Sequence, residues 1–116
     1  MKIMRKLKDM VIYRSDDFYA IAPSVCRTPQ GDLLVGFRRQ PNRKKQGRDN
    51  LHIDPDSHVA LVRSKDGSRT WSDAQTVERA TGVGQQAAEL TTLSDERVML
   101  GSFKWEVIDV EHEKEI

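Results

Sequence analysis

His52, Asp54, Asp56 and His58 alternate along one short stretch of the chain. In an extended segment that spacing sends all four side chains to one side. Imidazoles and carboxylates are metal-ligand types. Two neighbouring carboxylates are also the raw material of acid–base chemistry, because burial or the charge of one raises the pKa of the other until it holds a proton. Pro55 disturbs the pleat and no cysteine joins the set, so neither a metal nor a cofactor is expected. Two readings stand: a loop that bonds to itself through Asx turns, and an acid–base role for the carboxylates. Arg38 and Arg39 end a strand just before this segment. They are either ordinary surface arginines or guanidinium forks for an anionic or hydroxylated ligand.

The elements that position these residues are short and β-like. Residues 10–13, 21–28, 33–38, 58–63, 74–79, 87–93 and 97–105 read as strands, separated by turn-forming clusters such as Pro29-Gln30-Gly31-Asp32 and Ser94-Asp95-Glu96. The run 33–38 is apolar throughout until Arg38, so both of its faces are expected to be covered. Pro23, early in 21–28, suits a strand start or a place where no ladder donor is needed. Residues 39–57 form a polar connection whose length is unusual for a loop without a task. A repeat is also visible: residues 24–37 and 88–103 both run strand, turn, apolar strand, Gly, aromatic. One four-stranded unit therefore ends near residue 79 and another begins near residue 86, with residues 10–13 belonging to a preceding unit. Thr81-Gly82-Val83-Gly84 lacks the strand-to-helix context of a dinucleotide loop.

Ser64-Lys65-Asp66-Gly67-Ser68-Arg69-Thr70-Trp71 reads as a hairpin turn locked by its own side chains. Gly67 tolerates positive φ, and Trp71 is an apolar plug with one polar group to satisfy. This octet resembles the Asp-box, Ser-x-Asp-x-Gly-x-Thr-Trp, of the sialidase (BNR-repeat) β-propellers. Ser64, Asp66, Thr70 and Trp71 match, whereas Ser68 stands at the family's glycine and Gly67 lies one place early. The resemblance extends over residues 11–105. It implies an all-β fold of antiparallel four-stranded blades from a six-bladed sialidase-like propeller, with about one and a half blades present: blade one at about 20–80 and the next at about 86–105.

The resemblance implies a glycan or glycoside partner as well. In that family the Asp-box lies away from the active site, so residues 39–57 and 81–86 fall on the active-site face. Family members clamp a sugar carboxylate with an arginine triad, attack with a Glu-activated Tyr, and use an Asp as acid–base. That Asp falls near residues 53–56, which by the resemblance makes Asp54 the first acid–base candidate and Asp56 the second. The first triad arginine, from an Arg-Ile-Pro motif, falls on Ile21 and is missing. The remaining catalytic groups belong to later blades. Tyr19 and Gln85, with Arg38 and Arg39, are the substrate-contacting candidates on this face. A glycoside hydrolase segment incomplete for catalysis alone is the expectation, and a non-catalytic carbohydrate-binding or scaffold segment is its competitor.

Composition narrows the rest. The chain has 116 residues, 37% hydrophobic and 32% charged, with formal net charge +1. A balance so near neutral gives no bulk attraction for nucleic acid. Cys26 is the single cysteine, which excludes an internal disulfide; in its apolar run it reads as a buried, inert thiol. The basic N-terminus has no apolar segment after it, and no run reaches membrane-spanning length. The default expectation is a cytoplasmic protein without a membrane partner. A piece of one and a half blades cannot close a ring: a truncated reading frame is the expectation, a segment of a broken gene or a chain that assembles with others its alternatives, and open sheet edges offer a route to self-association.

Overall fold

Strict alternation along the two central strands decides the architecture. Strand β2 (Leu33–Pro41) pairs antiparallel with β3 (His58–Ser64), setting Val35 opposite Val62 and Phe37 opposite Ala60. Cross-strand partners share a face, so these four residues form one apolar patch, and Ile12, Tyr13, Trp71 and Ala74 pack onto it. The intervening residues, Leu34, Gly36, Arg38 and Gln40, face the other way. Strand β1 (Phe18–Arg27) flanks β2 and β4 (Gln75–Glu78) flanks β3, which gives a four-stranded meander ordered β1-β2-β3-β4. The computed structural model describes residues 3–78 and 83–106.

A second, smaller group of strands covers the opposite face. Strand β5 (Val83–Gln85) pairs with β8 (Lys104–Glu106), and β6 (Glu89–Thr92) pairs with β7 (Val98–Gly101), both antiparallel. The β6 strand leans on β1: Leu90 N–H donates to Ser24 Oγ (3.1 Å) and Thr92 Oγ1 to the Arg27 carbonyl (2.6 Å). Gly36 permits the approach, since a Cβ there would lie 3.3 Å from Ala88 Cβ and 3.4 Å from Leu90 Cδ1. The protein is all-β with antiparallel sheets; apart from one 3-10 turn at Arg43–Gln46, no helix occurs among the described residues. None of these elements is a helix long and apolar enough to cross a membrane.

Several expectations are corrected. Residues 10–13 are not a strand: Ile12 and Tyr13 pack on the core, but the segment joins no sheet. The expected strand 97–105 is two, because the chain leaves β6 after Gly101 and turns to β5. The expected strand 87–93 shortens to Glu89–Thr92. Strand β1 starts at Phe18 and carries a register shift between Ile21 and Ser24. Pro23 has no N–H for the ladder, and Ala22 sits at φ 53°, so the break is a bulge built around the proline. Cys26 is half-buried rather than enclosed. The tail beyond Glu106, together with Thr81 and Gly82, lies outside the described residues.

At the far end of β3 the octet folds as its residue types require. Ser64 Oγ donates to Asp66 Oδ1 (2.9 Å) and accepts from Ser68 N–H (2.9 Å), while Asp66 Oδ1 accepts from Thr70 N–H (2.9 Å). The Thr70 hydroxyl closes onto Asp66 Oδ2, and Trp71 Nε1 donates to the Ser68 carbonyl (3.3 Å). Thr70's hydroxyl and backbone donors pull the Asp66 carboxyl down to about 2. Gly67 and Ser68 both adopt left-handed backbone, φ 72° and 77°. The displaced glycine thus relieves one strained position and leaves Ser68 in the other. Ser68→Gly is therefore expected to raise stability by about 1 kcal/mol, measured as a higher urea midpoint with an unchanged m-value.

Candidate ligand-binding face

The opposite end of the same sheet is crowded with buried polar side chains. Arg38, Gln40, Asp54, Ser57, His58, Gln85 and Gln86 are each at most 5% exposed. Desolvating so many polar groups demands partners for them, and the β2–β3 loop supplies most.

Asp54 is the hub. The Arg43 guanidinium forks onto it, Nε to Oδ2 at 2.9 Å and Nη2 to Oδ1 at 2.8 Å, and Nη2 also reaches Asp56 Oδ2 at 2.6 Å. Asp56 N–H donates to Asp54 Oδ1 at 2.9 Å, an Asx turn that Pro55 shapes. The Asp54 carbonyl accepts from Ser57 N–H (3.1 Å) and lies 2.9 Å from Ser57 Oγ. Burial alone would raise the pKa of Asp54, but the Arg43 fork and the Asp56 N–H outweigh it and hold the carboxyl below its ordinary value. Asp54 is therefore kept ionised, whereas a proton donor at neutral pH needs the opposite shift. His52 is exposed and His58 buried, so the alternating quartet does not converge, and no metal-binding group of these residue types forms among the described residues.

The loop is held at its base. Arg43 N–H donates to Asn50 Oδ1 (2.7 Å), Asn50 Nδ2 to Asn42 Oδ1 (3.3 Å), and Asn42 N–H to the Asp17 carbonyl (2.8 Å). The other side of the hub rests on Gly84. A Cβ at Gly84 would sit 2.4 Å from the Asp54 carbonyl oxygen, so β5 approaches the loop as only glycine allows.

The two arginines at the end of β2 part company by alternation. Arg39 turns to the core side, donating from Nε to His58 Nε2 (2.9 Å) and from Nη2 to Thr76 Oγ1 (3.0 Å), with its Cζ 4.7 Å from the Phe18 ring centroid. It is a structural cation. Arg38 turns to the other face, opposite Ile21 in the register. Its Nη1 donates to the His52 carbonyl (2.9 Å) and to Gln86 Oε1. Burial pulls the Arg38 pKa down, opposed by Tyr19 and Asp54 nearby. Tyr19 shares this side, and burial pushes its hydroxyl up. Gln85 is turned inward instead: its Oε1 accepts from Val59 N–H (2.9 Å). Gln86, not singled out by its sequence context, is the glutamine that meets Arg38, and it too is buried. Its backbone N–H donates to the Phe103 carbonyl (2.9 Å), and its side chain meets Arg38. A run of two glutamines with opposite orientations was the available signal.

Two cavities open here. One, of about 300 Å³, is lined by Ile21, Ala22, Arg38, His52, Gln86, Ala87 and Phe103. The other, of about 260 Å³, lies inside the loop between Arg43, Arg48, Leu51 and Asp54. Thus Arg38, Tyr19 and Asp54 fall within electrostatic reach of one another, while Arg39 and Gln85 are spent on the scaffold.

A crystal structure of a protein of unknown function from Dyadobacter fermentans DSM 18053 is similar to this chain, with a TM-score of 0.84 and 34% identity over 95% of this chain. The chain spans 30% of that protein's length. No family model and no curated protein matches the sequence.

Two outcomes test the hub. The pKa of Asp54 is lowered on folding, so its contribution to stability is present above the ordinary value of 3.8 and is lost as pH falls through the folded value. Arg43→Met leaves the buried carboxylate unpaired and is expected to cost about 3 kcal/mol at pH 7. That cost shrinks towards pH 4 as Asp54 takes up a proton, readable in urea melts at both pH values. Gly84→Ala is expected to destabilise the fold by about 1–3 kcal/mol, with the amide signals of residues 54–57 shifting in NMR spectra.

Proposed function

We propose that this chain is part of a sialidase-like β-propeller and that the Arg38–Asp54 end of its main sheet faces a glycan. The observation that carries this reading is the division of labour along β3. The self-bonded Asp-box turn closes one end, and the desolvated polar cluster with its cavities lies at the other. The antiparallel four-stranded meander, followed by further short strands, supports reading the chain as one blade and the start of the next. Burying Arg38, Asp54, Gln86 and a half-buried Tyr19 around open space costs stability, and recognition of a polar ligand is a reason to bear it. In this reading the parent architecture is a glycoside hydrolase, to which this chain contributes Asp54 as a carboxylate.

Two observations favour a second reading, carbohydrate binding without hydrolysis. Arg43 holds Asp54 ionised, and Ile21 stands where the resemblance asks for an arginine.

A panel of fluorogenic glycosides and a glycan array, applied to the complete propeller that this reading implies, separate the two. Hydrolysis predicts turnover that falls at least a hundredfold in Asp54→Asn, in line with general acid–base contributions of about 10²–10⁴. Array hits without turnover assign the chain to binding. Neither hits nor turnover would remove the glycan reading.

A further inference from the structure

We infer that residues 2–11 are a peripheral membrane anchor, an arm that folds into an amphipathic helix on the surface of an anionic lipid bilayer. This is independent of the glycan reading above.

Residues 3–11 are all exposed and join no sheet. Ile3 is 84% exposed, Met4 99%, Leu7 84%, Met10 44% and Val11 68%. Single apolar residues scattered over a surface need no explanation, but five within nine positions do. Their spacing supplies one. Wound at about 100° per residue, these five side chains share an arc of about 120°. Lys2, Arg5, Lys6, Lys8 and Asp9 fill the rest of the circle. Lys6 and Lys8 border the apolar arc, where their stems lie along it and their ammonium groups reach outward to headgroups. Lys6 Nζ already donates to Asp9 Oδ2 at 3.0 Å, a pair three residues apart that stays adjacent in a helix. The stretch holds no Gly or Pro and is made mostly of good helix formers. So short a helix does not hold in water by itself, which accounts for the arm's irregular backbone. A lipid interface that takes up the apolar face supplies the missing stabilisation.

Charge selects the partner. Four basic residues stand against one acid in the arm, while the whole chain carries only +1. Positive charge is thus concentrated where the apolar side chains are, and an anionic bilayer answers both. Nucleic acid would answer the charge alone. A second copy would bring a like-charged arm, and its apolar sheet patch is already covered by Ile12, Tyr13, Trp71 and Ala74. Ile12 and Tyr13 follow the arm directly and root it to the sheet, so the fold is held beside the membrane. Ten helical residues reach about 15 Å, about half of a hydrocarbon core. The arm therefore lies along the surface, which the lack of a spanning run does not bear upon.

The test is co-sedimentation of the full chain with vesicles of equal parts phosphatidylserine and phosphatidylcholine, and with phosphatidylcholine alone, alongside far-ultraviolet circular dichroism. The anionic vesicles are expected to bind at least about tenfold more tightly, with a gain in helical signal and a loss of binding as salt is raised. Ile3→Ser combined with Leu7→Ser is expected to weaken that binding at least about tenfold. Lys6→Gln combined with Lys8→Gln is expected to do the same, at about fivefold per basic residue. Both variants are expected to keep the wild-type thermal melt, since all four positions are exposed. Equal binding to the two vesicles, no binding to either, binding without a gain of helix, or binding unchanged in either variant would overturn the proposal. Self-association that the Ile3→Ser, Leu7→Ser variant abolishes, with no vesicle binding, would overturn it in favour of a second copy as the arm's partner.

Discussion

A carboxylate removed from water has to find its compensation nearby, and Asp54 finds all of it within its own loop. The Arg43 fork, the Asp56 N–H and the Ser57 turn use every oxygen the residue has. Because those bonds are local, the loop arrives at the sheet already shaped. Its backbone then meets β5 at Gly84, and Ser57 ties both sides, with Oγ 2.9 Å from the Gln85 carbonyl. The position of β5 relative to β3, and with it the placement of Gln85 and Gln86, follows from the satisfaction of one buried charge.

Alternation on β2 does the rest. A single strand supplies Val35, Phe37 and Arg39 to one side and Gly36, Arg38 and Gln40 to the other, so two adjacent arginines acquire unrelated tasks. The core-side arginine is stacked on Phe18 and bonded to His58 and Thr76. Its neighbour keeps a buried donor, Nε, without a partner among the described residues. Side-chain direction, rather than residue type, separates scaffold from candidate site here.

Much of this was legible in the sequence. The central strands, the polar loop and the octet turn each have a local cause: an apolar run, a cluster of charged residues with prolines, and side chains that bond to their own backbone. The two ends of β3 were also separable, since a loop and a self-bonded turn cannot lie at the same end of one strand. What escaped depends on distant partners. Nothing local shows that Arg43, not a solvent-facing cation, would neutralise Asp54, or that Gln86 rather than Gln85 would meet Arg38. Residues 10–13 have strand-like composition, but composition does not supply a neighbour to pair with. The split between β7 and β8 arises because one stretch serves two different partner strands.

The loop between Asn42 and Asn50 is pinched at its base, where Arg43 N–H meets Asn50 Oδ1, and Gly47 turns its tip at φ 72°. Lys44, Lys45, Gln46, Arg48 and Asp49 are exposed beyond that pinch. Of these, Gln46 accepts from Arg43 Nη1 (3.4 Å) and the Arg48 charge helps keep Asp54 ionised. Lys44, Lys45 and Asp49 lie outside those contacts, so their positions in the outer half of the loop are open to substitution while the inner half stays fixed. A surface of that kind lets a scaffold acquire new partners by variation at the tip, without renegotiating the buried charge on which the sheet end is built.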